Sequence, residues 1–242
     1  MRIERTPHFW LALCLTLCLT LYLAARTAPQ QAMAATAPPA TVIWVYDGDT
    51  VRLDSGQSLR LAGIDSPELG KKGQPDQFYA RQSLKLAVRL ARGRQVILRA
   101  VGTNRQDRYG RLVAEVILPG GTSLNETLVA EGAAWVYWHN DLHGDYLDRL
   151  LAAQRAALEQ ERGMWGPLLR SAAASAAYVG NSRSYRFFPT HSAEARNIHH
   201  ANLVRFASLR DAFWQGYAPG RLRDPGNPDA PPRASFLPDS PR

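Results

Sequence analysis

From Thr41 onward the apolar positions fall first in short strand-like runs and later at intervals of three and four. "TVIWVYDGDTVRLDSGQSLRLAGI" carries β-branched and aromatic residues broken at Asp47-Gly48 and at Ser55-Gly56. Those breaks are hairpin signals, so the pattern predicts a three-stranded meander. Residues 78–93 take up helical spacing, with Leu84, Ala87, Val88 and Ala91 on one face and Gly93 as the stop. "RQVILRAVG" and "RLVAEVIL" read as two further strands around "TNRQDRYG". Ser123 and Glu126 have capping-box spacing and open a short helix that ends at Gly132. A third helix follows Asp141, with Leu147, Leu150, Leu151, Gln154 and Leu158 on one stripe, and closes near Gly163. Five strands and three helices, the first helix lying between strands three and four, predict an α+β fold built on a five-stranded OB-fold barrel.

That barrel domain spans residues 39–168. A small-residue linker, 169–177, leads to a small degenerate α/β module at 178–222, and a proline-rich tail, 223–242, is expected to stay unpacked. At the other end, Arg2 and Arg5 precede an uncharged run from Phe9 to Ala25, and Ala32-Met33-Ala34 offers a small-x-small cleavage site. Residues 1–34 therefore read as a signal peptide, or as an anchor in the inner membrane through residues 9–25 if uncleaved. The expected location is secreted or periplasmic, or else membrane-anchored and facing outside the cytoplasm. Both cysteines, Cys14 and Cys18, fall in that run, which excludes a disulfide or thiolate metal site in the exported part. The net charge of +8 and a pI near 9.9 favour a polyanionic partner.

Charge placement sharpens this picture. "RLAGIDSPE", residues 60–68, sets Arg60, Asp65 and Glu68 among apolar and small residues. Read as one strand, Arg60 and Asp65 point to opposite faces, so they meet only if the chain bends, and Pro67 is the expected cause of the bend. Asp49, just past the first turn, and Asp65 with a turn carbonyl make an all-oxygen set suited to calcium or magnesium. Arg60 and Arg111, the latter following the Tyr109-Gly110 turn, can clamp a phosphate, which leaves Glu68 to orient or deprotonate a water. Such a set suits phosphodiester cleavage. His139 and His143, four apart, read as loop residues rather than a metal pair, and the basic stripe Arg81, Lys85, Arg89 and Arg92 reads as a solvated helix face.

"DGDTVRL", "RLAGIDSPE" and "DRYGRLVAEV", in that order, together with "NETLVAEGAAWVY" and "GMWG", resemble the thermonuclease (staphylococcal nuclease-like) family from about Thr41 to Trp165. The resemblance implies Arg60, Glu68 and Arg111 as the catalytic trio. It implies Asp49, Asp65 and Ser66 as calcium ligands, Ser66 through its backbone carbonyl. Arg108 and Tyr109 match positions that touch a nucleotide phosphate, and one of Tyr137 or Trp138 matches a ring lining that pocket. The loop after the glutamate is basic in the family, as Lys71 and Lys72 are here. The implied activity is calcium-dependent hydrolysis of DNA and RNA to 3′-phosphate products. The chain is expected to be a monomer. The alternative is a catalytically inactive OB-fold protein that binds nucleic acid.

The segment "NLVRFASLRDAFWQGYAPGR" bears a weak resemblance to a zinc-binding module of bacterial DNA-alkylation repair proteins, whose four cysteines are missing here; His191 stands roughly where one would be. Without metal, Val204, Phe206, Phe213, Trp214 and Tyr217 must form the module's core, docked on the barrel domain. His199 and His200, with Arg196 and Arg205, are the module's candidate contacts to nucleic acid; the alternative is a degenerate module that serves only as packing. Truncation after Leu169 is expected to leave the activity intact.

Overall fold

The computed structural model describes residues 39–71, 73–138, 142, 144–220 and 224–227. Lys72, His139, Asp141, His143, the leader and most of the tail lie outside them. The first hairpin joins β1 (Ala40–Val45) to β2 (Thr50–Leu53), and the second joins β2 to β3 (Ser58–Leu61) through Gly56 at φ +80°. A register shift between Val42 and Trp44 interrupts the alternation of β1. Val42 and Val45 therefore both face inward, while Ile43 and Trp44 remain 45% and 49% exposed. Helix α1 (Ala80–Ala91) follows, then β5 (Gln95–Arg99) and β6 (Leu112–Ile117). The strands close into a barrel in the order β1-β2-β3-β6-β5, with β3 and β6 parallel. Val51, Leu53, Leu59, Leu61, Val96 and Val116 fill it.

Between β3 and the short β4 (Ile64–Asp65) the strand breaks, and it breaks at glycine rather than at Pro67. Gly63 sits at φ +72°, where a side chain is strained, and a Cβ there would lie 2.7 Å from Leu150. The break exposes the carbonyl of Ala62, which accepts from Asn125 Nδ2 at 2.9 Å and from the Tyr146 hydroxyl at 2.7 Å. Asn125 lies in α2 (Leu124–Ala130) and Tyr146 in α3 (Asp145–Glu159), and both are buried. Two helices thus satisfy the backbone that the bend leaves unpaired. Past it, β4 turns away from the barrel to pair with β7 (Trp135–Val136), which carries Asp65 back toward Arg60. Helix α2 is capped by Ser123, whose hydroxyl accepts from the Glu126 N–H. The Glu126 carboxylate pairs with Arg149, so the predicted capping box is seen only in its Ser123 half. Helix α3 begins after Gly144.

Beyond α4 (Trp165–Leu169) and a 3-10 turn at Ala172–Ser175, β8 (Tyr178–Asn181), β9 (Arg186–Pro189), β10 (Leu203–Phe206) and β11 (Ala218–Pro219) form a second sheet, ordered β10-β8-β9-β11. Helices α5 (Ala193–Arg196) and α6 (Leu209–Trp214) complete it. The expected core residues Phe206, Phe213 and Tyr217 are buried, and Val204 and Trp214 pack partly against them. Their cluster also contains Trp135, Leu158, Trp165 and Leu168, so one core crosses the linker. Gln154 bridges the two sides, accepting from Val136 N at 2.7 Å and donating to Phe213 O at 2.6 Å. Within the stretch expected to be unpacked, Asp224 accepts from Phe78 N at 3.1 Å and Gly226 packs on the same residue. Among the described residues no helix is long and apolar enough to cross a membrane.

Candidate active site

At one end of the barrel the first hairpin turn, the bend after β3 and the loop before β6 come together. Gly48 permits the closest approach: a Cβ there would stand 2.6 Å from Ser66 Cβ and 3.0 Å from Ser83 Cβ. Asp49 is thereby brought against Ser66, whose N–H donates to Asp49 Oδ2 at 2.7 Å. Arg60 then joins the two aspartates, with Nη1 2.9 Å from Asp49 Oδ1 and Nη2 2.6 Å from Asp65 Oδ1. Arg111 reaches the same point from the loop just before β6. Its Nε and Nη2 each lie 2.7 Å from Asp107 Oδ2, and Nη1 approaches Thr50 Oγ1 at 3.4 Å. The Thr50 hydroxyl donates to Asp49 Oδ1 at 2.9 Å. Arg111, Thr50, Asp49, Arg60 and Asp65 therefore form one continuous chain of contacts.

Glu68 is held through its backbone. Its N–H donates to Gln77 Oε1 at 2.7 Å, and its carbonyl accepts from Gln77 N at 2.9 Å. The intervening loop is tied by Gly70 N donating to Asp76 Oδ1 at 2.8 Å. Burial pushes the Glu68 carboxyl up to about 7, helped by the charges of Asp49 and Asp65 and opposed by Arg60 and Lys71. Burial likewise raises Asp47 well above the usual range, with Asp49 and Glu68 adding to the effect. Asp65 is raised by burial while Arg60 and Arg186 act against it. Desolvation opposes the Arg60 charge, but Asp49, Asp65, Asp47 and Glu68 outweigh it and keep the guanidinium firmly protonated.

This arrangement fits a hard cation. Asp47, Asp49, Asp65 and Glu68 crowd together beside Arg60, and burial, with repulsion from Asp49 adding to it, holds Asp47, Asp65 and Glu68 partly toward the neutral form. Asp49 and Asp65 converge on one guanidinium, so the two carboxylates share a single cationic partner. Among the described residues no three acidic, imidazole or thiol side chains form a ligand cluster. Two carboxylates with a backbone carbonyl would make an incomplete shell of the kind water completes around calcium or magnesium. The Ser66 hydroxyl is buried without a hydrogen-bond partner.

The other expected substrate residues are distributed around this centre. Arg108 is exposed and folds over Tyr109, donating to its hydroxyl at 2.6 Å, while Arg111 lies 5.5 Å from the same ring. Lys71 is exposed, on the loop after Glu68. Tyr137 and Trp138 both face the C-terminal sheet: Arg186 stacks 3.9 Å over Tyr137, and Tyr185 stacks 4.0 Å from Trp138. Sequence reasoning missed Asp47, Thr50, Gln77, Asp107 and Arg186. A carboxylate four residues before Arg111 and a hydroxyl beside Asp49 were the available signals for Asp107 and Thr50. Nothing local marks Gln77 or Arg186.

The Staphylococcal nuclease homologue family matches residues 58–167. An uncharacterized endonuclease from Escherichia coli O157:H7 is 38% identical over 127 residues, covering 51% of this chain and 74% of that protein. The thermonuclease of Staphylococcus hyicus is 34% identical over 127 residues, covering 51% and 73%. Endonuclease YhcR of Bacillus subtilis (strain 168) is 30% identical over 197 residues, covering 72% of this chain and 16% of its own length.

Proposed function

The chain belongs to the staphylococcal nuclease homologue family and is a nuclease, and on that premise we propose a calcium-dependent endonuclease that cuts DNA and RNA alike and leaves 3′-phosphate ends. The observation that carries the reading is the chain of contacts from Arg111 through Thr50 and Asp49 to Arg60 and Asp65. Two guanidiniums and two carboxylates meet at one barrel end, which is what phosphodiester hydrolysis asks for.

Asp49, Asp65 and the Ser66 carbonyl would hold the ion. When bound, calcium supplies positive charge against the phosphoryl oxygens and relieves the crowding of the carboxylates. Arg60, engaged by both aspartates in the free site, then turns its donors to the phosphate. Arg111 is kept straight by Asp107, so it loses little freedom when it takes a second phosphoryl oxygen. Glu68, fixed by Gln77, orients the attacking water and accepts its proton. Arg108 and Tyr109 sit beside Arg111, placed to meet the neighbouring phosphate. The basic-then-apolar leader supports export, with action outside the cytoplasm.

Cleavage of labelled DNA and of labelled RNA, each with calcium and with chelator, tests the proposal. Cutting of both that stops with chelator and leaves phosphatase-sensitive 3′ ends is expected. Binding without cutting selects an inactive OB-fold binder instead.

A further inference from the structure

The barrel supplies Arg60 to one oxygen of Asp65, and the C-terminal sheet supplies a guanidinium to the other. Arg186 begins β9, directly after the turn from Asn181, and its Nη1 lies 3.6 Å from Asp65 Oδ2. Two stronger contacts fix it independently of Asp65: Nη1 donates to Pro219 O at 2.8 Å, and the guanidinium lies 3.9 Å over the Tyr137 ring. The side chain is only 12% exposed. The residue before it, Tyr185, takes a left-handed φ of +50° while its ring lies flat on Trp138, with an interplanar angle of 10°. A non-glycine residue in that conformation costs about 1 kcal/mol or more, so the turn is held in place by what it delivers.

We infer, on the reading of Asp65 as an ion ligand, that Arg186 is a positioning residue of the active site: it steadies the outer oxygen of Asp65 and, as a fixed positive charge, weakens cation binding to the free site. Calcium–oxygen distances are about 2.4 Å, so an ion accepted by Oδ2 lies within about 6 Å of Nη1. Repulsion between a dication and a guanidinium at that separation is worth roughly tenfold in affinity even with water-like screening. At 3.6 Å the contact with Asp65 is a long ion pair rather than a hydrogen bond, so the orientation lost with it is worth less than this and the charge decides the sign. Because Pro219 and Tyr137 hold Arg186, it stays in place when Asp65 turns to an ion.

Calorimetric titration of calcium into the full chain, without nucleic acid, measures the effect directly. Arg186→Met is expected to bind calcium about tenfold more tightly than the parent while kcat falls severalfold and KM changes by less than about twofold. Arg186→Lys keeps the charge and is expected to keep parental calcium affinity, with part of the kcat loss. Arg183→Met removes an exposed arginine from the same turn and serves as the control, with calcium affinity unchanged. Parental affinity in a folded Arg186→Met, or tenfold tightening in Arg186→Lys, overturns the inference; the lysine variant decides the matter if the methionine variant fails to fold. A parent chain that neither binds calcium nor cuts removes the functional reading and this inference together. A parent that does both, matched by Arg186→Met, removes only the role of Arg186.

Discussion

The barrel core is filled with Val42, Val51, Leu59, Leu61 and Ile64, while the core behind α3 holds Trp135, Trp165, Tyr178, Phe187 and Phe213. The aliphatic core comes from strands that alternate and from helix stripes close in sequence. The aromatic core gathers rings from both sides of the linker. Phe213 is its centre, meeting Trp165 at 4.7 Å, Phe187 at 5.1 Å and Trp135 at 6.0 Å, the first two edge to face. Each such pair is worth about 0.5–1.5 kcal/mol beyond area burial. With no cysteine past Cys18, these rings do the cross-linking that holds a segment too small to stand alone. The consequence is dependence. The C-terminal sheet covers β7, and β7 positions β4 and Asp65.

Phe213→Ala is the severest way to break this comparison. It removes three ring contacts from a fully buried site, at a cost of about 3–5 kcal/mol. Chemical denaturation followed by tryptophan fluorescence and by circular dichroism is expected to give one shifted transition for both probes. Two separated transitions would show that the cores fold independently. Truncation after Leu169, expected from sequence to be harmless, uncovers Trp165 and Leu168 and removes Arg186, so it is not a clean test of the chemistry.

The next largest effect lies at the barrel end. Arg111→Ala is expected to lower kcat about 10²–10³-fold with the melting temperature little changed, because Arg111 is held at the rim by Asp107 and Thr50 rather than in the core. Near-parental turnover in a steady-state assay would remove its assigned role.

The barrel was readable because its rule is local. Val51, Leu53, Leu59 and Leu61 follow a period of two, and Leu147, Leu150, Gln154 and Leu158 a helical stripe. Arg60, Asp65 and Glu68 stood out as charges in an apolar stretch. Pro67 is the conspicuous breaker in the sequence, yet the bend lies four residues earlier, because Gly63 becomes necessary only once Leu150 is packed against it. Gln77 clamps Glu68 through a loop, and Arg186 arrives from another sheet. Neither has a spacing to betray it, since both depend on tertiary placement alone.

A smaller effect separates charge from packing at the site. In chelator, Glu68 has a folded-state value of about 7 against 4.5 for the ordinary group. The fold therefore prefers the neutral carboxyl, and its ionisation costs stability that grows as pH rises through that window and is constant above it. Glu68→Gln cannot ionise. Its melting temperature relative to the parent is expected to rise from about pH 4.5 to about pH 7 and then level off, in scans of both proteins at matched pH. A difference that is flat across the window would mean that Glu68 is solvated like a surface carboxylate.

Ser66→Ala is the mildest change and the sharpest on the ion site. The Ser66 hydroxyl is buried and makes no hydrogen bond, so it contributes a desolvation cost with nothing in return. The serine Cβ already stands against Gly48, and alanine keeps it. Removing the oxygen is expected to stabilise the protein by about 1 kcal/mol, a rise of about 2–4 °C in melting temperature for a chain of this size. Calcium affinity is expected to stay within about twofold, because the proposed ligand set takes the carbonyl of Ser66 and not its hydroxyl. A tenfold loss of affinity with the fold intact would make the hydroxyl a ligand and require Ser66 to rotate toward Asp49 on ion binding.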